Sequence, residues 1–91
     1  MRVHLHRKNV APFLEHCRNL GMIIRDGAHH PDSFQLVQIQ PVGSKEWFAV
    51  YDNSHDPEHV TVDRRLIHVV RSFQESRRFL KEEVKRMVRD I

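Results

Sequence analysis

Apolar residues at Val10, Phe13, Leu14, Cys17 and Leu20 recur at three- and four-residue intervals, the pattern of one buried helix face. Asn9 stands where an N-cap is wanted, and Pro12 is tolerated in a first turn. Gly21 follows where a left-handed C-cap would close the helix. Beyond it the period shortens. Residues 22–26, 34–40 and 46–51 are strand-like, the last rich in aromatic and β-branched side chains. Pro41-Val42-Gly43-Ser44 between the second and third reads as a turn. Leu36 followed directly by Val37 breaks strict alternation, which predicts a β-bulge or burial on both faces at that point. Short connections favour an antiparallel meander.

Asp52-Asn53-Ser54-His55-Asp56-Pro57 has the chemistry of a loop. A helix is expected to start at Thr61 or Asp63, either able to act as N-cap, with Val62, Leu66, Val69, Val70 and Phe73 on its buried face. Ser76 could cap a further helix striped by Phe79, Leu80, Val84, Met87, Val88 and Ile91. No Gly or Pro interrupts residues 62–91, so one helix of about 28 residues and about 42 Å is open; a break near Gln74-Glu75 is the favoured reading. At the other end Val3 and Leu5 alternate with His4 and His6, which suits a short edge strand with both histidines on one face; an extended N-terminus is equally compatible. The expected fold class is α+β: an αβββα domain with a three-stranded antiparallel sheet covered by helices and an extended helical C-terminus.

Composition narrows the class. A chain of 91 residues, 40% hydrophobic and 30% charged, reads as one small globular domain over residues 1–91. No apolar run approaches the roughly 20 residues that span a bilayer, and the N-terminus has no apolar core of a secretory signal, so no membrane partner is expected. The lone Cys17 lies on the apolar helix face, which points to a buried structural thiol and a cytoplasmic location. Charge is uneven. Residues 1–62 hold six Lys/Arg against seven Asp/Glu, and residues 63–91 hold nine against five. That C-terminal surplus suits phosphate neutralisation or, equally, a solvated helix face.

Candidate chemistry centres on Gly27-Ala28-His29-His30, a turn that presents two side chains titrating near neutrality between two apolar runs. Asn19-Leu20-Gly21-Met22-Ile23-Ile24-Arg25-Asp26-Gly27-Ala28-His29-His30 resembles the hallmark of HicA-type (YcfA-like) toxins: a helix ending in glycine, a strand, and a Gly-Ser-His-His-like turn. Ala28 stands in place of the serine. Asn53-Ser54-His55, then Thr61, Arg65 and Val69-Val70, resemble the family's second signature, and Ser76-Arg77-Arg78-Phe79-Leu80 resembles its C-terminal segment. Pro31-Asp32-Ser33 lengthens the turn relative to the family pattern. The HicA-like core is residues 9–80, and 81–91 is a helical extension.

The resemblance implies a double-stranded-RNA-binding-domain-like fold and metal-independent cleavage of messenger RNA. His29 and His30 would be the catalytic groups, with Arg25, Arg65 and Arg71 holding phosphates. It also implies an antitoxin partner. The competing reading is a non-catalytic module that binds nucleic acid, another protein or a second copy of itself through Val84, Met87 and Ile91. No cofactor is expected. Cys17 beside His16, His4 with His6, and His55 with His59 match no zinc spacing, so no metal site is expected. His68 reads as a boundary histidine, and Trp47 as a core or interface aromatic rather than a base-stacking platform.

Overall fold

The computed structural model describes residues 3–27, 35–53 and 55–89, with side chains of the last helix described as far as Arg78. Its elements are β1 (Val3–His6), α1 (Val10–Asn19), β2 (Ile23–Asp26), β3 (Gln35–Gln40), β4 (Phe48–Asp52), β5 (His59–Val62) and α2 (Ile67–Arg89). One-turn 3₁₀ segments, Arg7–Asn9 and Arg64–Leu66, lead into the two helices. Among the described residues the strands form one antiparallel sheet in the order β1-β5-β4-β3-β2.

The α+β class and the central meander agree with the sequence reading, but the sheet has five strands where three were expected. The two added strands stabilise each other. In β5, Val60 and Val62 are buried to 0% and 1% exposure while Thr61 between them is not, the alternation of a half-buried strand. β1 pairs with it residue for residue, Val3 with Val62 and Leu5 with Val60. Thr61 and Val62 therefore belong to a strand, and the helical turn starts after Asp63, whose carboxylate accepts the Arg65 N–H at 2.9 Å.

α2 runs without a break through Gln74 and Glu75, contrary to the expected interruption, and Ser76 lies inside it. A cross-link spans the place: the Arg77 guanidinium donates to Asn9 Oδ1 at 2.8 Å and lies over the Phe73 ring. That bond also removes Asn9 from the capping role assigned to it. Its side chain makes no cap on α1, and the Lys8 N–H in the preceding turn is taken by His6 Nδ1.

Both helices pack on one face of the sheet. Phe13 and Cys17 of α1 and Leu66, Val69, Val70 and Phe73 at the start of α2 close over Val3, Leu5, Ile39, Val50, Val60 and Val62. Phe13 meets Phe73 edge to face, ring centroids 5.6 Å apart. Burying each such large side chain is worth about 1.5–3 kcal/mol, which makes this layer the main source of stability. Among the described residues no helix is long and apolar enough to cross a membrane.

The break at Leu36-Val37 is a bulge: Gln35 pairs with Tyr51, but Val37 pairs with Val50. Leu36 and Val37 both pack against the core, and the bulge places Gln35 and Gln38 together on the opposite face. Gly21 ends α1 with φ +87°, the left-handed C-cap that glycine adopts without strain. Gly27, buried where β2 ends, is constrained differently. A β-carbon there would run into the Gln35 backbone carbonyl, so the close approach of the end of β2 to the start of β3 needs a residue without a side chain. Gly27→Ala should destabilise the domain by about 3 kcal/mol, the upper range of overpacking penalties, read as a drop in urea midpoint. A midpoint equal to wild type would show that the strands part freely at this end.

Candidate nucleic-acid interface

Because both helices lie on one side, no described helix covers the other face of the sheet, and register determines which side chains it carries. His4, Thr61, Tyr51 and Gln35 are successive cross-strand partners in one row, and Arg25, Gln38 and Ala49 form the next. The second row is tied together by hydrogen bonds. Arg25 Nε donates to Gln38 Oε1 at 2.5 Å, and Gln38 Nε2 donates to Gln35 Oε1 at 2.6 Å. The Arg25 guanidinium lies 3.9 Å from the centroid of the Trp47 ring. Gln38 is buried to 7% exposure beneath this assembly, and both of its amide ends are satisfied. A guanidinium over an indole, braced by glutamine amides and with Tyr51 in the neighbouring row, offers aromatic surface, hydrogen-bond donors and positive charge on one face.

The three arginines expected to hold phosphate lie on separate surfaces. Arg25 is on the uncovered face as described. Arg65 is over the Phe48 ring at 4.2 Å, and because Trp47 and Phe48 are successive residues of an extended segment, the two arginines grip it from opposite faces. Carboxylates already engage Arg65: Asp63 at 2.9 Å and Glu46 at 3.2 Å. Its hydrogen bonds hold the Asp63 carboxyl below the usual carboxylate range despite partial burial. Arg71 is exposed on α2 beside Gln74, Glu75 and Arg78, away from the core positions of that helix.

His29 and His30 lie outside the described residues, as does Ile91. Val84 and Met87 fall on the α2 backbone, but their side chains are outside the described part. Of the turn itself, Gly27 and Gln35 are in place, and Gln35 is the end of the Tyr51-Thr61-His4 row. Trp47, read from the sequence as a core or interface aromatic, is half-buried on the uncovered face, and His68 is exposed on α2.

Sequence reading missed a histidine pair. His6 and His59 are register partners with rings 5.2 Å apart, edge to face. His59 Nδ1 is 2.8 Å from Asp56 Oδ2. The alternation of Val60-Thr61-Val62 is the signal that would have placed His59 on a strand beside β1. Among the described residues no three His, Cys, Asp or Glu side chains converge as a metal site.

No family model, curated protein or solved structure matches this chain.

Cys17 is fully buried, and desolvation pushes its thiol up to about 11 against a smaller opposing effect of Arg18. The native thiol should therefore resist a disulfide reagent at pH 8 and react only after denaturation. Burial holds the proton in the folded state, so its stabilising contribution is full below the ordinary value of 9.0 and is lost as pH rises toward about 11. Cys17→Ala should flatten that part of the stability profile in a urea series. An unchanged slope would mean that other groups set it.

Proposed function

We propose that this chain is a HicA-like RNA-binding protein that takes single-stranded RNA on the uncovered sheet face and cleaves messenger RNA without a metal. The observation that carries the binding half is the Arg25–Trp47 stack over the Gln38–Gln35 chain. Single-stranded RNA is recognised where unpaired bases stack on aromatic or guanidinium planes and hydrogen-bond at their edges, with cations along the backbone. Tyr51, Thr61 and His4 extend the same face toward β1. The order α1, Gly21, β2, Gly27, β3 supports the HicA-like reading, and His29 is the turn histidine assigned to the chemistry.

Binding is read by fluorescence anisotropy with a labelled single-stranded oligoribonucleotide. Arg25→Ala and Trp47→Ala should each weaken it about tenfold, the scale of one lost stacking contact, and Arg25→Ala should also lower the salt slope by about one. Wild-type affinity in both variants would overturn the assignment of this face. No RNA binding by the wild-type chain would favour the protein-docking reading through Val84, Met87 and Ile91.

Cleavage is read in cells. Induced expression should slow growth and shorten messenger RNA lifetimes, and His29→Ala should relieve both. A folded His29→Ala chain with full toxicity would remove His29 from the mechanism.

A further inference from the structure

The His6–His59 pair belongs to a cleft that the proposed binding face meets only at His4. At the free edge of β1, beside the middle of α2, a cleft of about 500 Å³ is lined by His4, His6, His59, Asn9, Arg77 and Arg78 among others. Among the described residues no carboxylate pairs with Arg77 or Arg78. The two histidines are held in opposite tautomers. A backbone N–H can only donate, so His6 Nδ1 accepts from Lys8 at 3.2 Å, and the proton of the neutral ring sits on Nε2. A carboxylate can only accept, so His59 Nδ1 donates to Asp56 at 2.8 Å and Nε2 keeps its lone pair. Asp56 is itself positioned by the Glu58 N–H on its other oxygen at 3.2 Å. Arg7 clamps this corner, bonding the carbonyls of Pro57 and Glu58 and the carboxylate of Asp52. One ring thus offers a donor and its neighbour an acceptor, in a cleft carrying two arginines.

We propose that this cleft is a second phosphodiester-cleaving site, with His59 as general base, His6 as hydrogen-bond donor to the phosphate and Asp56 as positioning residue. The proposal rests on RNA being the ligand. His59 Nε2 takes the proton of a ribose 2′-hydroxyl, and the 2′-oxygen attacks the adjacent phosphorus. The P–O2′ bond forms as the P–O5′ bond breaks, leaving a 2′,3′-cyclic phosphate. The departing 5′-oxygen takes a proton from water, and the His59 imidazolium, stabilised by Asp56, returns its proton to the hydroxide so formed. His6 Nε2–H, Arg77 and Arg78 face the phosphate charge. The titratable and charged groups around His59 are Asp56, His4, His6, Arg77 and Arg78, with Arg7, Asp52 and Glu58 at the adjoining corner.

The test uses the full chain carrying His29→Ala and His30→Ala, which leaves the cleft intact. It should cut an oligoribonucleotide in vitro, more slowly than the wild-type chain, to 2′,3′-cyclic phosphate and 5′-hydroxyl ends, and spare one with a 2′-deoxy sugar at the cut site. Adding His59→Ala should lower the rate at least ~100-fold, the scale of a lost general base, while RNA affinity changes less than ~3-fold. Asp56→Asn should lower kcat with KM held and alter the pH profile, and His68→Ala should do neither. Imidazole nitrogen NMR should find the neutral His59 proton on Nδ1 and the neutral His6 proton on Nε2. RNA bound but never cut by this chain, full cleavage by a folded His59→Ala chain, or the reversed tautomers would overturn the cleft and leave the binding face standing. Failure of the wild-type chain to bind RNA would overturn both.

Discussion

Both helices pack on the same face of a five-stranded sheet, and the rest of this molecule depends on that placement. α1 and the start of α2 meet through Phe13 and Phe73 and together seal the side built from Val3, Leu5, Ile39, Val50, Val60 and Val62. Nothing among the described residues is left to cover the other side. An apolar sheet face in water would invite association, so the alternate positions must be polar or amphipathic. Most are: His4, Thr61, Tyr51, Gln35, Gln38 and Arg25, with Ala49 and Ile23 the apolar exceptions. The chemistry available for binding is the complement of the core, set by the same period of two.

The bulge at Leu36 makes that complement coherent. Without the extra residue, Gln35 and Gln38, three apart, would point to opposite faces. With it, both Leu36 and Val37 reach the core, and the two glutamines form the amide chain that braces Arg25 over Trp47. One local irregularity therefore serves packing and surface together.

Much of this was legible wherever the signal was local. The face of α1, its glycine stop, the turn at Pro41, the irregularity at Leu36-Val37 and the buried thiol of Cys17 all come from neighbours within a few residues. The failures lie where tertiary partners decide. Val62 stands in helical frame with Leu66 and Val69, so local pattern merges β5 with the coming helix; β1 and β4 on either side of it reverse that choice. Asn9 has the composition of a cap, but Arg77 from the distant helix claims its side chain and stiffens α2 where a break was expected. Local propensity loses to a long-range bond in each case.

The candidate sites divide the same way. Arg25 stands out in the sequence for its charge alone, and its stacking partner and amide support come from β3 and the approach to β4. Arg65, singled out on the same ground, is neutralised by Asp63 and Glu46, because a cation at a helix start next to its own capping carboxylate finds that partner first. His6 and His59 carry no shared signal in the chain, since pairing of the first strand with the last is what makes them neighbours. Their opposite tautomers depend in turn on the backbone adjoining each strand: a tight turn after His6 that aims a backbone N–H at its ring, and a tight turn before His59 that aims a carboxylate at the other. An acceptor and a donor side by side thus arise from two copies of one side chain, differentiated only by the backbone on which each is hung.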